Sequence, residues 1–201
     1  MQSAISGVAN KPLTSQHLRN YMKMERTKNG ILIVDLDGTL LKNDYFAETF
    51  IRELITNPIQ LIYKYSKQKN WVQFKQEILS KTKPTSIEIT HLINTNVNQW
   101  ITNNKNHFST VHIVSASPDQ FVKEIFEIIK LNDSNTPIVE AHGSLQINLS
   151  SIRKLEYILE KYGSNFWYIA DSMKDTVIFA KSKGALLVKK GQLKQLHGEL
   201  F

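Results

Sequence analysis

An α/β protein built on a parallel sheet is predicted by three observations. Separated apolar runs at residues 31–34, 111–115, 166–170 and 185–188 are rich in β-branched and aromatic side chains, which suits strands buried on both faces. Between several of them the apolar residues recur at intervals of three and four, the spacing of amphipathic helices. After the first run, about 65 residues keep helical spacing, too many for a simple crossover between neighbouring strands. An all-helical insert at 43–107 is therefore expected within a core domain of 30–42 and 108–201, preceded by an arm at 1–29.

Composition narrows the chemistry. Of 201 residues, 41% are apolar and 21% charged, the balance of a globular protein. Absence of cysteine removes disulfides, thiol catalysis and cysteine-based zinc sites, and fits a reducing compartment. No run approaches the roughly 20 apolar residues of a membrane span, and the N-terminus lacks the apolar core of a secretory signal. The expected location is the cytoplasm, with the periphery of a membrane as the alternative. The net charge of +7 favours anionic partners. With no zinc finger, basic zipper or aromatic RNA-binding strand motif, nucleic acid is disfavoured. Phosphorylated small molecules and lipid phosphates at a membrane surface remain.

The arm carries Lys11, Arg19, Lys23, Arg26 and Lys28 with a single acid, Glu25. The first strand, ILIV, then runs into DLDGT. Asp35 and Asp37, two apart in an extended chain, project on the same side, Gly38 permits a sharp turn, and Thr39 can orient a carboxylate. In the insert, Asp44 is placed to cap a helix containing Phe46, Phe50, Ile51 and Leu54. Further helices carry Leu61, Ile62 and Tyr65, then Val72, Phe74, Ile78 and Leu79, with a last one over 87–102. Pro58 and Pro84 punctuate them. Residues 60–83 hold six lysines against one acid, interleaved with Tyr63, Tyr65, Trp71 and Phe74. That pattern is a solvated helical face or a basic, aromatic surface for an amphiphilic phosphate.

The second strand, VHIVS, ends at Ser115, and Ser117-Pro118-Asp119 starts the next helix. Such a strand end beside a helix start makes an anion site. A short strand over 137–140 and a β excursion over 145–149 follow. Ser150 or Ser151 is placed to cap a helix reaching Glu160, with Arg153 and Lys154 in its first turn. The fourth strand, FWYIA, meets Asp171, with Asp175 one turn further on the same side. A helix over 177–180, a strand over 185–188 and a basic tail over 189–201 complete the chain.

Two close carboxylates repel and need a shared cation, a shared proton or separate roles. A Mg²⁺ ion supplies the first; with it, Asp35 can serve as an oxygen nucleophile toward phosphorus and Asp37 can move protons. A strand followed by an ordinary Asp-Gly turn is the plain alternative.

DLDGT at 35–39, Ser115, Lys154, and Asp171 with Asp175, in that order, resemble the motifs of the haloacid dehalogenase (HAD) superfamily over about residues 30–190. The resemblance implies a Rossmann-like three-layer sandwich with a helical cap inserted directly after the first motif, the C1 position. It implies Asp35 as nucleophile, Asp37 as general acid/base, and phosphoryl contacts from Thr39, Ser115, Ala116 and Lys154. It also implies Mg²⁺ held by Asp35, Asp37, Asp171 and Asp175. DLDGTLLKNDYFAETF, Asn57-Pro58, FKQEI at 74–78 and VSAS at 114–117 look like the HAD-like domains that precede UbiA-type polyprenyltransferase domains. His142 and Ala170 depart from that pattern, where Asp and Gly are usual.

The function so implied is Mg²⁺-dependent hydrolysis of a small-molecule phosphomonoester, on a sugar or a lipid-linked group, through an aspartyl-phosphate. The alternatives are a phosphotransferase of the same fold and a weakly catalytic accessory module of a membrane prenyltransferase system. Asn43, Tyr45, Phe46 and Ser117 are the expected pocket wall. The six scattered histidines read as structural or exposed.

Overall fold

The computed structural model describes residues 30–67, 70–81 and 84–199; the expected arm at 1–29 lies outside them. β1 (Ile31–Val34), β2 (Thr110–Pro118), β3 (Ile138–Ser144), β4 (Phe166–Ala170), β5 (Gly184–Lys189) and β6 (Gln192–His197) form one sheet in the order β3-β2-β1-β4-β5-β6. The first five are parallel, and β1 lies between β2 and β4, with Val34 level with Ile113 and Ile169. A parallel sheet offers its strands' carboxyl ends as a ligand crevice. Here it brings the ends of β1, β2 and β4 side by side.

Period-two side-chain alternation divides the core. Leu32, Val34, Trp167 and Ile169 face one apolar cluster, and Ile33, Phe166, Tyr168 and Ala170 face another. The first is covered by α1 (Tyr45–Thr56), α2 (Pro58–Lys67), α3 (Trp71–Ser80), α4 (Ser86–Leu92), α5 (Thr95–Asn104) and α6 (Asp119–Asn132). The second is covered by α7 (Ile152–Tyr162) and α8 (Thr176–Lys181). Leu32, Ile33 and Val34 are all fully buried, each stabilising the fold by about 1.5–3 kcal/mol. The expected three-layer α/β sandwich is therefore the observed one.

The five helices after β1 share that core: Tyr45, Phe46, Phe74, Ile78 and Leu79 are continuous with Leu32 and Phe121. Asp44 caps α1 as its position predicts, accepting from the N–H of Ala47 at 2.9 Å. The single helix expected over 87–102 is two, α4 and α5. Its interruption has a tertiary cause, because the chain beyond β1 bonds to the interruption, Lys42 N–H to Leu92 O and Leu40 O to Asn94 N–H, both at 2.8 Å.

Other expectations also change. The strand expected over 137–140 runs on to Ser144, and 145–149 forms no strand. The basic tail contains β6, an antiparallel edge strand on β5. In sequence it reads only as a basic tail, because an edge strand exposes one face. Ser151 occupies the N-cap position of α7 but makes no side-chain cap bond. Over 60–83, read as a solvated helical face or a basic, aromatic surface, the described lysines are dispersed. Lys64 pairs with Glu77 at 3.0 Å and Lys81 with Glu53 at 3.1 Å, Phe74 is buried, and Lys69 and Lys83 lie outside the described residues. Among the described residues no helix is long and apolar enough to cross a membrane.

Candidate active site

Beyond β1 the chain turns at once. Leu41 N–H donates to Leu36 O at 2.8 Å, closing a tight loop in which Gly38 has φ +71°. That left-handed conformation is easy only for glycine. Absence of a side chain matters too, since a Cβ on Gly38 would lie 2.3 Å from Oδ2 of Asp171. Gly38→Ala is therefore expected to lose about 1–2 kcal/mol of unfolding free energy for the backbone alone, with more for displacing Asp171, as read from urea melts.

Asp35, the first residue past β1, takes the Leu36 N–H at 2.9 Å and the Lys154 ammonium at 3.0 Å on Oδ1. Lys154, in the first turn of α7, is only 2% exposed. Its Nζ also lies 3.4 Å from Asp175 Oδ2 and donates to the Tyr168 hydroxyl at 3.2 Å, while that hydroxyl donates to Asp175 at 2.6 Å. Tyr168, on β4, was not singled out from the sequence. Burial alone would lower the lysine, but the charges of Asp35 and Asp175 and their hydrogen bonds hold it above its ordinary value. Burial raises Asp35 despite the attraction of Lys154, and the charge of Asp175 adds to the rise. Burial, then the charge of Asp35, also raises Asp171. Asp35 and Asp175 thus share one ammonium, with Asp171 held close enough to feel the charge of Asp35.

Asp37 has a different environment. Its Oδ2 accepts from Ser117 Oγ at 2.6 Å and from Ser115 Oγ at 3.4 Å, and its Oδ1 accepts from the Tyr45 N–H at 3.3 Å. Burial pushes it up to about 6, with the Ser117 bond opposing and the charges of Asp44 and Asp35 adding to the rise. A carboxylic acid poised there exchanges protons near neutral pH. Two neighbouring carboxylates thus have separate electrostatic settings.

A cavity of about 540 Å³ opens on these groups, lined by Asp35, Asp37, Ser115, Ala116, Ser117, Lys154 and Asp175, with Asp44, Lys75 and Lys174 among the others. The expected pocket wall is mostly displaced. Ser117 lines the cavity, but Tyr45 is buried with its ring stacked 5.2 Å from that of Phe121, and Phe46 is buried among Phe50 and Trp71. Asn43 donates to Glu48 at 2.6 Å and lines a separate cavity beside Lys190. Thr39 is fully buried outside the cavity, and its hydroxyl lacks a hydrogen-bond partner among the described residues. Helix packing decides these positions, so a sequence offset from the first motif could not.

The four acids do not form a four-carboxylate cage. Asp37 is engaged by Ser117, Ser115 and Tyr45, and Asp175 by Lys154 and Tyr168. Among the described residues, no group of three or more His, Asp or Glu could hold a metal. Mg²⁺ does not need one, since it keeps several waters and is bound by one or two carboxylates. Asp171, raised by burial and by the charge of Asp35, could supply such a pair with Asp35. Among the described residues no histidine lines the cavity; His112 is buried, and burial lowers it to about 4.

No protein-family model matches the chain. It is 29% identical over 165 residues to an uncharacterized protein of Sinorhizobium fredii, y4nM, covering 80% of this chain and 30% of that protein's length. The structure of a HAD family hydrolase from Salmonella enterica serovar Typhi aligns over 88% of this chain and 72% of its own, with 13% identity and a TM-score of 0.48. A phosphoserine phosphatase, solved as a phospho-aspartyl intermediate analogue, aligns over 79% of this chain and 85% of its own, with 17% identity and a TM-score of 0.47. A predicted phosphoglycolate phosphatase from Haemophilus somnus aligns over 76% and 80%, with 16% identity and a TM-score of 0.46.

Proposed function

We propose that this protein is a Mg²⁺-dependent phosphomonoester hydrolase of the haloacid dehalogenase type that works through a phosphoryl group on Asp35. One observation carries the reading: Asp35 and Asp37 open on one cavity, one tied to a buried lysine and the other raised to about 6. Unequal carboxylates in one site divide into nucleophile and acid/base.

Asp35, oriented by the Leu36 N–H and Lys154, attacks phosphorus, and the bond from phosphorus to the ester oxygen breaks. Asp37 gives its proton to the departing alkoxide. Water then attacks the aspartyl-phosphate, Asp37 takes the water's proton, and the bond between Asp35 and phosphorus breaks. Lys154 and the hydroxyl of Ser115 balance charge on the phosphoryl oxygens. Asp35 and Asp171 would hold Mg²⁺, which when bound supplies further positive charge there. The helices of 43–107 act as the cap, their residues Asp44 and Lys75 reaching the cavity. Exposed Ile55, Ile59, Ile62, Tyr63 and Tyr65 on α1 and α2 support lipid-linked esters, met at a membrane surface, as one form of the small-molecule substrate.

The test is phosphate release from p-nitrophenyl phosphate by the intact chain. Turnover that EDTA abolishes and added Mg²⁺ restores is expected. No release with Mg²⁺ present, from this or a panel of metabolite phosphates, overturns the reading.

A further inference from the structure

Lys75 has no part in that mechanism, yet it comes from α3 into the same cavity. Its ammonium is under-used. Whereas Lys64 and Lys81 on the same insert have glutamate partners, Lys75 has no ion pair among the described residues. It makes one long hydrogen bond, Nζ to Ala116 O at 3.4 Å. The rings of Phe46 and Trp71 stand 5.3 and 5.9 Å from the charge and steer it inward. An ordinary surface lysine would extend to water; this one is partly buried, and burial lowers it even though Asp37, Asp44 and Asp35 draw it up.

Its position says which part of a substrate it meets. Ala116, whose carbonyl it touches, precedes Ser117, and Ser117 Oγ holds Asp37 at 2.6 Å. Asp37 is the group that protonates the leaving alcohol, so Lys75 stands on the leaving-group side. Lys154, by contrast, is tied to Asp35 and Asp175 on the phosphoryl side. A cation in no ion pair, on the side of the cavity where the charge of Asp37 acts on it, is matched by a second negative charge on the substrate.

We propose that Lys75 is a specificity-determining residue that selects phosphomonoesters whose leaving alcohol carries a second anionic group, a carboxylate or a further phosphate. The proposal rests on the phosphatase reading and names its substrate class. Arginine keeps the charge, and methionine keeps the length of the side chain without it. The cap helix supplies the selecting charge while the sheet supplies the chemistry, so the two can be separated experimentally.

Two matched substrate pairs test it: 3-phosphoglycerate against glycerol 3-phosphate, and fructose 1,6-bisphosphate against fructose 6-phosphate. In at least one pair, wild-type kcat/KM for the more anionic member is expected to exceed that of its partner by about 10- to 100-fold. The carboxylate pair and the phosphate pair separate the two sources of charge. Lys75→Met should bring the ratio close to one, chiefly through KM for the more anionic member, and Lys75→Arg should restore most of it. No preference in either pair, a preference that survives Lys75→Met, or an equal loss on both members of a pair overturns the proposal. Calorimetric binding of the same pairs to Asp35→Asn and to Asp35→Asn with Lys75→Met gives a readout independent of turnover. If the wild type hydrolyses nothing, the phosphatase reading falls. Selective binding that depends on Lys75 would then still support the anion preference, and equal binding of both members would overturn it.

Discussion

Asp35→Asn is expected to lower phosphate release from p-nitrophenyl phosphate by at least about 10³-fold while the protein stays folded. An amide oxygen does not attack phosphorus as a carboxylate does, and no neighbour can replace it. Asp37 is bound to Ser117, and Asp175 to Lys154 and Tyr168. The fold should tolerate the change, because an asparagine oxygen can still accept from the Leu36 N–H and from Lys154, the two partners of Oδ1. It also removes one of the two carboxylates paired with Lys154. Turnover and a circular-dichroism melt on the same sample separate the two effects. Wild-type turnover in the variant would remove Asp35 as the nucleophile.

Lys154→Met is expected to destabilise the protein by about 3–5 kcal/mol at pH 8 without added metal, in addition to abolishing turnover. The ammonium is buried and is the partner of both Asp35 and Asp175, so its removal leaves carboxylates without a cation. The pH dependence has a definite sign. Asp35 already sits above its ordinary value because of burial, so the folded state binds its proton more readily than the unfolded state does. Such a group loses stability as pH rises through the window between its unfolded and folded values. Removal of Lys154 widens that window upward, so the deficit of the variant should be largest at pH 8 and shrink toward pH 5. Urea midpoints at the two pH values measure it. A variant as stable as wild type at both would show that the buried pair contributes nothing to the fold.

Asp35, Asp37, Ser115, Lys154, Asp171 and Asp175 could each be found from local sequence. Each follows a buried apolar run or opens a helix, where the hydrophobic pattern changes to polar abruptly. Parallel pairing of β1 with β2 and β4 then brings those ends together. The division of labour among the acids was less legible. The resemblance implies Asp175 as a ligand, and in the fold its carboxylate accepts from Tyr168, whose hydroxyl reaches it from the buried face of β4. Which face of a strand a tyrosine takes follows from register, and a continuous apolar run such as FWYIA carries no alternation from which to read it.

What the sequence by itself determined is the parallel α/β sheet, the helical stretch between its first two strands, and the acids at the strand ends, all of them consequences of short-range hydrophobic periodicity. Tertiary structure alone decided that Ser117 holds Asp37, that Tyr45 and Phe46 pack inward, and that Lys75 reaches the cavity. It also decided that the basic tail pairs as β6. These depend on how helices and strands distant in the chain are packed together, and on which charges lose water in the process. Spacing along a chain does not record either.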